Sequence, residues 1–137
     1  MMANTDGQPG CVYHLLDNGI HEFTFRESSR EAIDQFFGQL AEILQTTPTT
    51  DTLRYLVDIT LGDKQVSLTK MSWRFRRLDM EIPVRARGRT AILHNPGALI
   101  SFVDGFIRAL APLKDVTRFF PVDRRDEAIA WVLSEER

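Results

Sequence analysis

The chain has 137 residues, enough for one domain with a core that needs no disulfide or metal staples. Hydrophobic residues make up 43% and charged residues 26%, the balance of an ordinary globular protein. A net charge of -2 gives no general pull toward nucleic acid or an anionic membrane, and the single cysteine, Cys11, excludes an internal disulfide and a cysteine-cluster metal site.

The opening, MMANTDGQPG, is polar and rich in turn formers. It lacks the basic and apolar regions of a signal peptide, so residues 1–10 read as a disordered lead-in and residues 11–137 as a single domain. No apolar run approaches the ~20 residues of a membrane span, so the chain is expected not to span a membrane. A cytoplasmic location follows, with Cys11 as a small strand residue in a reducing compartment.

Two short strands, Val12–Leu16 and Ile20–Phe25, flank Asp17-Asn18-Gly19, a tight-turn sequence, and form a hairpin. A helix follows, with Ile33, Phe36, Phe37, Leu40, Ala41 and Leu44 at helical spacing. Ser28 and Glu31 form a candidate capping box at its start. Leu53–Ile59 reads as a buried strand. A second helix runs from about Ser67 to Met80, with Leu68, Met71, Phe75, Leu78 and Ile82 inward, and Pro83 stops it. Arg89–His94 is a strand. A third helix has Asn95 as cap, Pro96 at its first position, and Leu99, Phe102, Val103, Phe106 and Leu110 inward. Val116–Val122 is the last strand. Asp123 is the expected cap of a fourth helix that carries Ala128, Ile129, Trp131 and Val132.

Alternating strands and helices predict an α/β fold: a small mixed, mostly parallel sheet with an N-terminal hairpin and four helices. Right-handed crossovers between neighbouring strands place successive helices on one side. His14, Glu22, Thr24, Arg54 and Arg118 interrupt otherwise apolar strands, which suggests that the other sheet face is partly open.

The arrangement, with Phe119-Phe120, then Asp126-Glu127-Ala128, then Trp131, resembles the STAS-like superfamily in its SpoIIAA-like branch, the anti-sigma-factor-antagonist-like domains. The LRYLVDIT strand, ending in Asp58, is also similar to that family's strand ending in aspartate. The resemblance covers about residues 12–135 and implies a β-α superhelix that regulates by binding other proteins. Regulatory members carry an Asp-Ser pair at the start of the next helix, where a partner kinase phosphorylates the serine. This chain has DITLGDKQVSLTK there, without that pair. Ser67 and Thr69 are the hydroxyls near the helix start. A phosphate on Ser67 would suit the helix dipole, but the same serine is accounted for as an N-cap worth about 1 kcal/mol. Phosphopeptide mapping of the native protein is therefore expected to find no substantial occupancy at Ser67 or Thr69.

Asp58, Thr60 and His94 fall at the carboxyl ends of strands, the edge where open α/β sheets bind ligands. With Ser67 and Thr69 they make the candidate ligand or switch loop, and with Asp123, also just after a strand end, Asp58, His94 and Ser67 sketch a hydrolase triad on paper. No Gly-x-Ser-x-Gly elbow accompanies them. His14, His21 and His94 lack metal-ligand spacing, and TLGDK lacks P-loop spacing, so neither metal nor cofactor is implied. Residues 73–89 hold six arginines, Arg74, Arg76, Arg77, Arg85, Arg87 and Arg89, beside Trp73 and Phe75. Such a segment can track phosphates with stacking platforms. The negative net charge weighs against nucleic acid and leaves an acidic protein partner or a lipid headgroup.

Trp73 lies about 200° around its helix from Phe75. It is either an interface anchor, with Arg74 and Arg77 beside it, or one side of a helix buried on two sides. The reading is a non-enzymatic binding or regulatory module acting through protein contacts. The alternative is a carrier of a lipid or other apolar small molecule, because the inner helix faces are rich in phenylalanine. A homodimer burying Trp73 is also expected.

Overall fold

A three-residue loop, Asp17-Asn18-Gly19, closes the first hairpin, and the Gly19 amide donates to the Leu16 carbonyl at 2.9 Å. Gly19 has φ +87°, a conformation that side chains resist, while Asn18 does not adopt positive φ. Asn18 instead accepts the Ile20 amide through Oδ1 at 3.1 Å. The turn therefore needs one left-handed residue, not the two that Asn-Gly suggests. The computed structural model describes residues 10–27, 29–60, 68–95 and 116–134, with the backbone alone described for 68–72.

The hairpin joins β1 (Cys11–Leu15) to β2 (His21–Phe25); α1 (Arg30–Thr46), β3 (Thr52–Asp58), α2 (Leu68–Glu81), β4 (Arg87–His94) and β5 (Val116–Pro121) follow. A 3-10 turn (Val122–Arg124) leads into α3 (Arg125–Leu133). The sheet order is β1-β2-β3-β4-β5. β1 and β2 pair antiparallel, and the remaining neighbours pair parallel. The mixed, mostly parallel α/β sheet is as expected. Three α-helices are found among the described residues; the helix expected beyond Asn95 lies outside them.

On one sheet face α1 and α2 cover Phe23, Phe25, Leu53, Tyr55, Val57 and Ile92. On the other, α3 covers Leu56, Ala91, Leu93 and Phe120. Ala91 and Ala128 are both fully buried, and their small side chains let helix and sheet approach closely. The expected open face is thus a second core. The crossover rule constrains only helices that link parallel strands. It fixes α1 and α2 on one side, but α3 follows the last strand and is free to cross.

Two of the polar strand residues, Glu22 and Arg54, have the same explanation. Glu22 pairs with Arg125 of α3. Arg54 donates to the carbonyls of Val132 and, at 3.1 Å, Ser134. The Arg118 guanidinium lies 5.1 Å from the Phe120 ring centroid. Glu22 and Arg54 thus hold α3 on the sheet, whereas Arg118 is exposed and lies over a ring of its own strand.

Two cap assignments change. Ser29, not Ser28, caps α1, accepting the Ala32 amide at 3.0 Å. The third helical residue is then Ala32, so no Glu31 box forms. Asp123 lies exposed in the 3-10 turn, and α3 starts after Arg124 with no side-chain cap.

His21 lies between Tyr13 and Tyr55, with its ring centroid 5.8 Å from each. Its Nδ1 is hydrogen-bonded with the Tyr13 hydroxyl, 2.7 Å away. Burial pushes the imidazole below its usual 6.5. Below pH 6.5 the unfolded chain therefore takes up this proton first, and stability falls as pH drops toward the folded-state value. Urea unfolding at pH 7 and pH 5 is expected to show this loss, and His21→Gln is expected to remove part of it.

Candidate functional site

Asp58 ends β3, and its carboxylate accepts the Thr60 amide at 2.9 Å as well as the Thr60 hydroxyl. This is an Asx-type turn, in which an aspartate mimics a backbone turn and ties down its own loop. Asp58 pairs with Leu93 across the ladder, so both project to the α3 side. His94, one residue on, projects to the opposite face. It lies 6.3 Å from the Phe119 ring, and its Nδ1 is 2.8 Å from the Asn95 carbonyl. The sheet therefore separates Asp58 and His94. Ser67 and the Thr69 side chain lie outside the described residues. Burial pushes the Cys11 thiol up to about 12, far from a reactive thiolate. Among the described residues no three His, Cys, Asp or Glu side chains cluster to hold a metal ion.

Among the described residues, a groove of about 970 Å³ lies between α1 and α2. Its floor is Ile33, Phe37, Ala41 and Leu78. The floor positions recur on α1 at helical spacing, one flank of the stripe that packs on the sheet. Phe37 meets Phe75 of α2 edge-on at 4.9 Å, which sets the spacing of the two helices. Arg74 bridges them: it donates to Asp34 at 2.6 Å and lies 4.8 Å from the Phe37 ring centroid. Arg77, at the rim, pairs with Glu81 at 3.4 Å.

Trp73 stands on the same rim and is 63% exposed. Of the two directions open to it from sequence, the structure has the outward one. Met80, one further turn pair along α2, is 81% exposed. Trp73, Arg74 and Arg77 are thus brought to one place. The other arginines of the basic segment are dispersed. The Arg85 side chain is buried and pairs with Asp79 at 3.3 Å, and Arg89 is buried against α3.

Sequence reasoning passed over Gly38. It lies in the middle of α1 and lines the groove, and an added Cβ would meet nothing within 4 Å. A mid-helix glycine costs about 0.5–1 kcal/mol relative to alanine. No neighbour within the fold requires its small size. The available signal was an isolated glycine in an otherwise unbroken helical pattern.

No family model matches the chain, and no solved structure matches it. Among curated proteins, a pentatricopeptide repeat-containing protein of Arabidopsis thaliana is 31% identical over 65 residues. The match takes in 44% of this chain and 11% of that protein. The chain thus matches about a tenth of that relative's length, too short a share to assign a family. Among the described residues no helix is long and apolar enough to cross a membrane.

Proposed function

We propose that this chain is a non-enzymatic STAS-like module of the SpoIIAA-like type, regulating through protein contacts made at the α1–α2 groove. One observation carries the reading: an exposed tryptophan on the rim of an open groove with an apolar floor and charged walls. Tryptophan is enriched among interface anchors, and truncating such an anchor costs about 2 kcal/mol or more. The strand–helix order and the Asp58 strand end agree with the STAS-like resemblance.

The test is affinity capture from the native cell with wild type, Trp73→Ala and Gly38→Leu. Trp73→Ala removes the anchor, and Gly38→Leu fills the groove at a site with room for it. A specific partner is expected to bind wild type about thirtyfold more tightly than Trp73→Ala. A partner retained equally by both variants would place the interface elsewhere.

The apolar floor also supports a second reading, carriage of a lipid or other apolar small molecule. Intact-mass analysis of gently purified protein separates the two: a stoichiometric co-purified ligand that Gly38→Leu excludes supports the carrier.

A further inference from the structure

Resting on that reading, we infer that the groove's occupant is an acidic amphipathic helix of a partner protein. The shape comes first. α1 and α2 supply two walls, and the 14 residues of α2 span about 21 Å. An apolar helix face presented at i, i+3, i+4 and i+7 fits such a groove. Gly38 leaves the α1 backbone bare and exposed on the groove wall, so a helix can approach there more closely than a side chain would allow.

Charge then selects among occupants. The arginines lining the groove are Arg30, Arg74 and Arg77, with Arg76 beyond it on the far side of Trp73, and the acids lining it are Asp34 and Glu81. Asp34 is taken by Arg74, and Glu81 by Arg77. Arg30 and Arg76 form no ion pair with another described residue. This excess of positive charge lies on a chain whose net charge is -2. Trp73 and Met80 project within about 20° of one another, with Arg77 on one flank and Arg76 on the other. That is an apolar strip between cationic rails, complementary to an apolar strip between carboxylates.

The same geometry disfavours other occupants. A two-fold contact of α2 with α2 of a second copy, centred near Arg76 and Arg77, would bring the cationic side chains of the two copies together, a repulsive arrangement. A bilayer surface is planar and cannot reach Phe37 and Ala41 on the floor, and it would press Asp34 and Glu81 toward anionic headgroups.

The test uses fluorescently labelled 18-residue helical peptides that share one leucine face and differ only in flanking residues: glutamate, glutamine or lysine. Anisotropy titrations with the whole protein are expected to show the glutamate peptide binding about tenfold or more tighter than the lysine peptide. Its affinity is expected to fall in high salt. Gly38→Leu is expected to weaken it by a similar factor. The double variant Arg76→Glu/Arg77→Glu is expected to reverse the preference toward lysine. The Arg77–Glu81 pair is exposed, so its loss leaves the fold intact, which circular dichroism checks. Equal binding of all three peptides, sensitive to Gly38→Leu, overturns the acidic class while leaving the groove as a protein site. Trp73-dependent sedimentation with phosphatidylserine vesicles and no peptide selectivity makes the surface a membrane face. A dimer in light scattering that Trp73→Ala dissociates makes the occupant a second copy. Failure of every peptide to bind overturns the inference, and the capture experiment with the native cell then decides the groove reading separately.

Discussion

Arg89→Ala is expected to destabilise the protein by about 3 kcal/mol, a large share of the 5–15 kcal/mol that holds an ordinary domain. Arg89 is 7% exposed, although it carries a full charge. Its Nε donates to the Trp131 carbonyl at 2.8 Å, and its guanidinium donates to Ser134 Oγ at 2.9 Å. The guanidinium carbon lies 3.9 Å from the Trp131 ring centroid. Arg54 donates to the neighbouring carbonyls of Val132 and Ser134. A helix leaves its last four carbonyls without intrahelical partners, and its C-terminus carries partial negative charge. Two guanidinia from the sheet meet both needs at the end of α3. Charge-assisted hydrogen bonds of this kind contribute about 1.5–3 kcal/mol each, and a desolvated cation–π contact about 2 kcal/mol. The cost of burying the charge offsets much of that sum. With nine residues, α3 is too short to persist without docking. Arg89→Lys is expected to rescue little, because a single ammonium cannot both fork to two acceptors and stack on the indole. Arg54 is less buried, so Arg54→Ala is expected to cost about half as much. Urea unfolding monitored by circular dichroism measures all three. A loss under about 1 kcal/mol for Arg89→Ala would show that this clamp does not hold α3 in solution.

These arginines also show where sequence reading stops. An arginine in a strand reads as solvent-facing: Arg54 supports an open sheet face, and Arg89 reads as part of the basic segment 73–89. Their partners lie 78 and 42 residues away, and no local pattern records that. The elements themselves were legible because hydrophobic periodicity is local: five strands and the inner face of α1 follow from spacing alone. The separation of Asp58 from His94 was not legible, because it depends on β3–β4 register, and a slip of one residue would put both on the same face. Ser28 and Ser29 are both adequate caps in sequence, and packing of Ala32 and Ile33 on the sheet chooses the second. At the groove, 100° per residue separates Trp73 from Phe75 but leaves open whether a second surface covers it, and the structure has it exposed. The significance of Gly38 needed the second helix in place, because a bare backbone becomes informative only when something lies open in front of it.

Phe36→Ala is expected to cost about 4 kcal/mol and to disturb the groove as well as the core. Phe36 is 3% exposed and sits where three elements meet. Its ring centroid lies 4.7 Å from Phe23 and 5.4 Å from Phe25 on β2, 4.9 Å from Phe37 on α1, and 6.0 Å from Phe75 on α2. Truncating a buried phenylalanine loses its transfer free energy and leaves a cavity whose lining has no partner atoms. Each edge-on aromatic contact adds about 0.5–1.5 kcal/mol beyond area burial. The cavity would open directly under the Phe37–Phe75 contact that spaces α1 and α2. Phe36→Leu keeps most of the volume and is expected to cost about 1–2 kcal/mol, yet it still loosens that contact. Peptide affinity at the groove is therefore expected to fall in Phe36→Leu together with hydrogen-exchange protection of α2. Trp73→Ala is expected to lower the same affinity while leaving stability within about 0.5 kcal/mol, since its side chain is mostly in solvent. If Phe36→Leu weakens the fold but leaves groove binding and α2 protection unchanged, the spacing of the two helices is set by something other than this aromatic cluster.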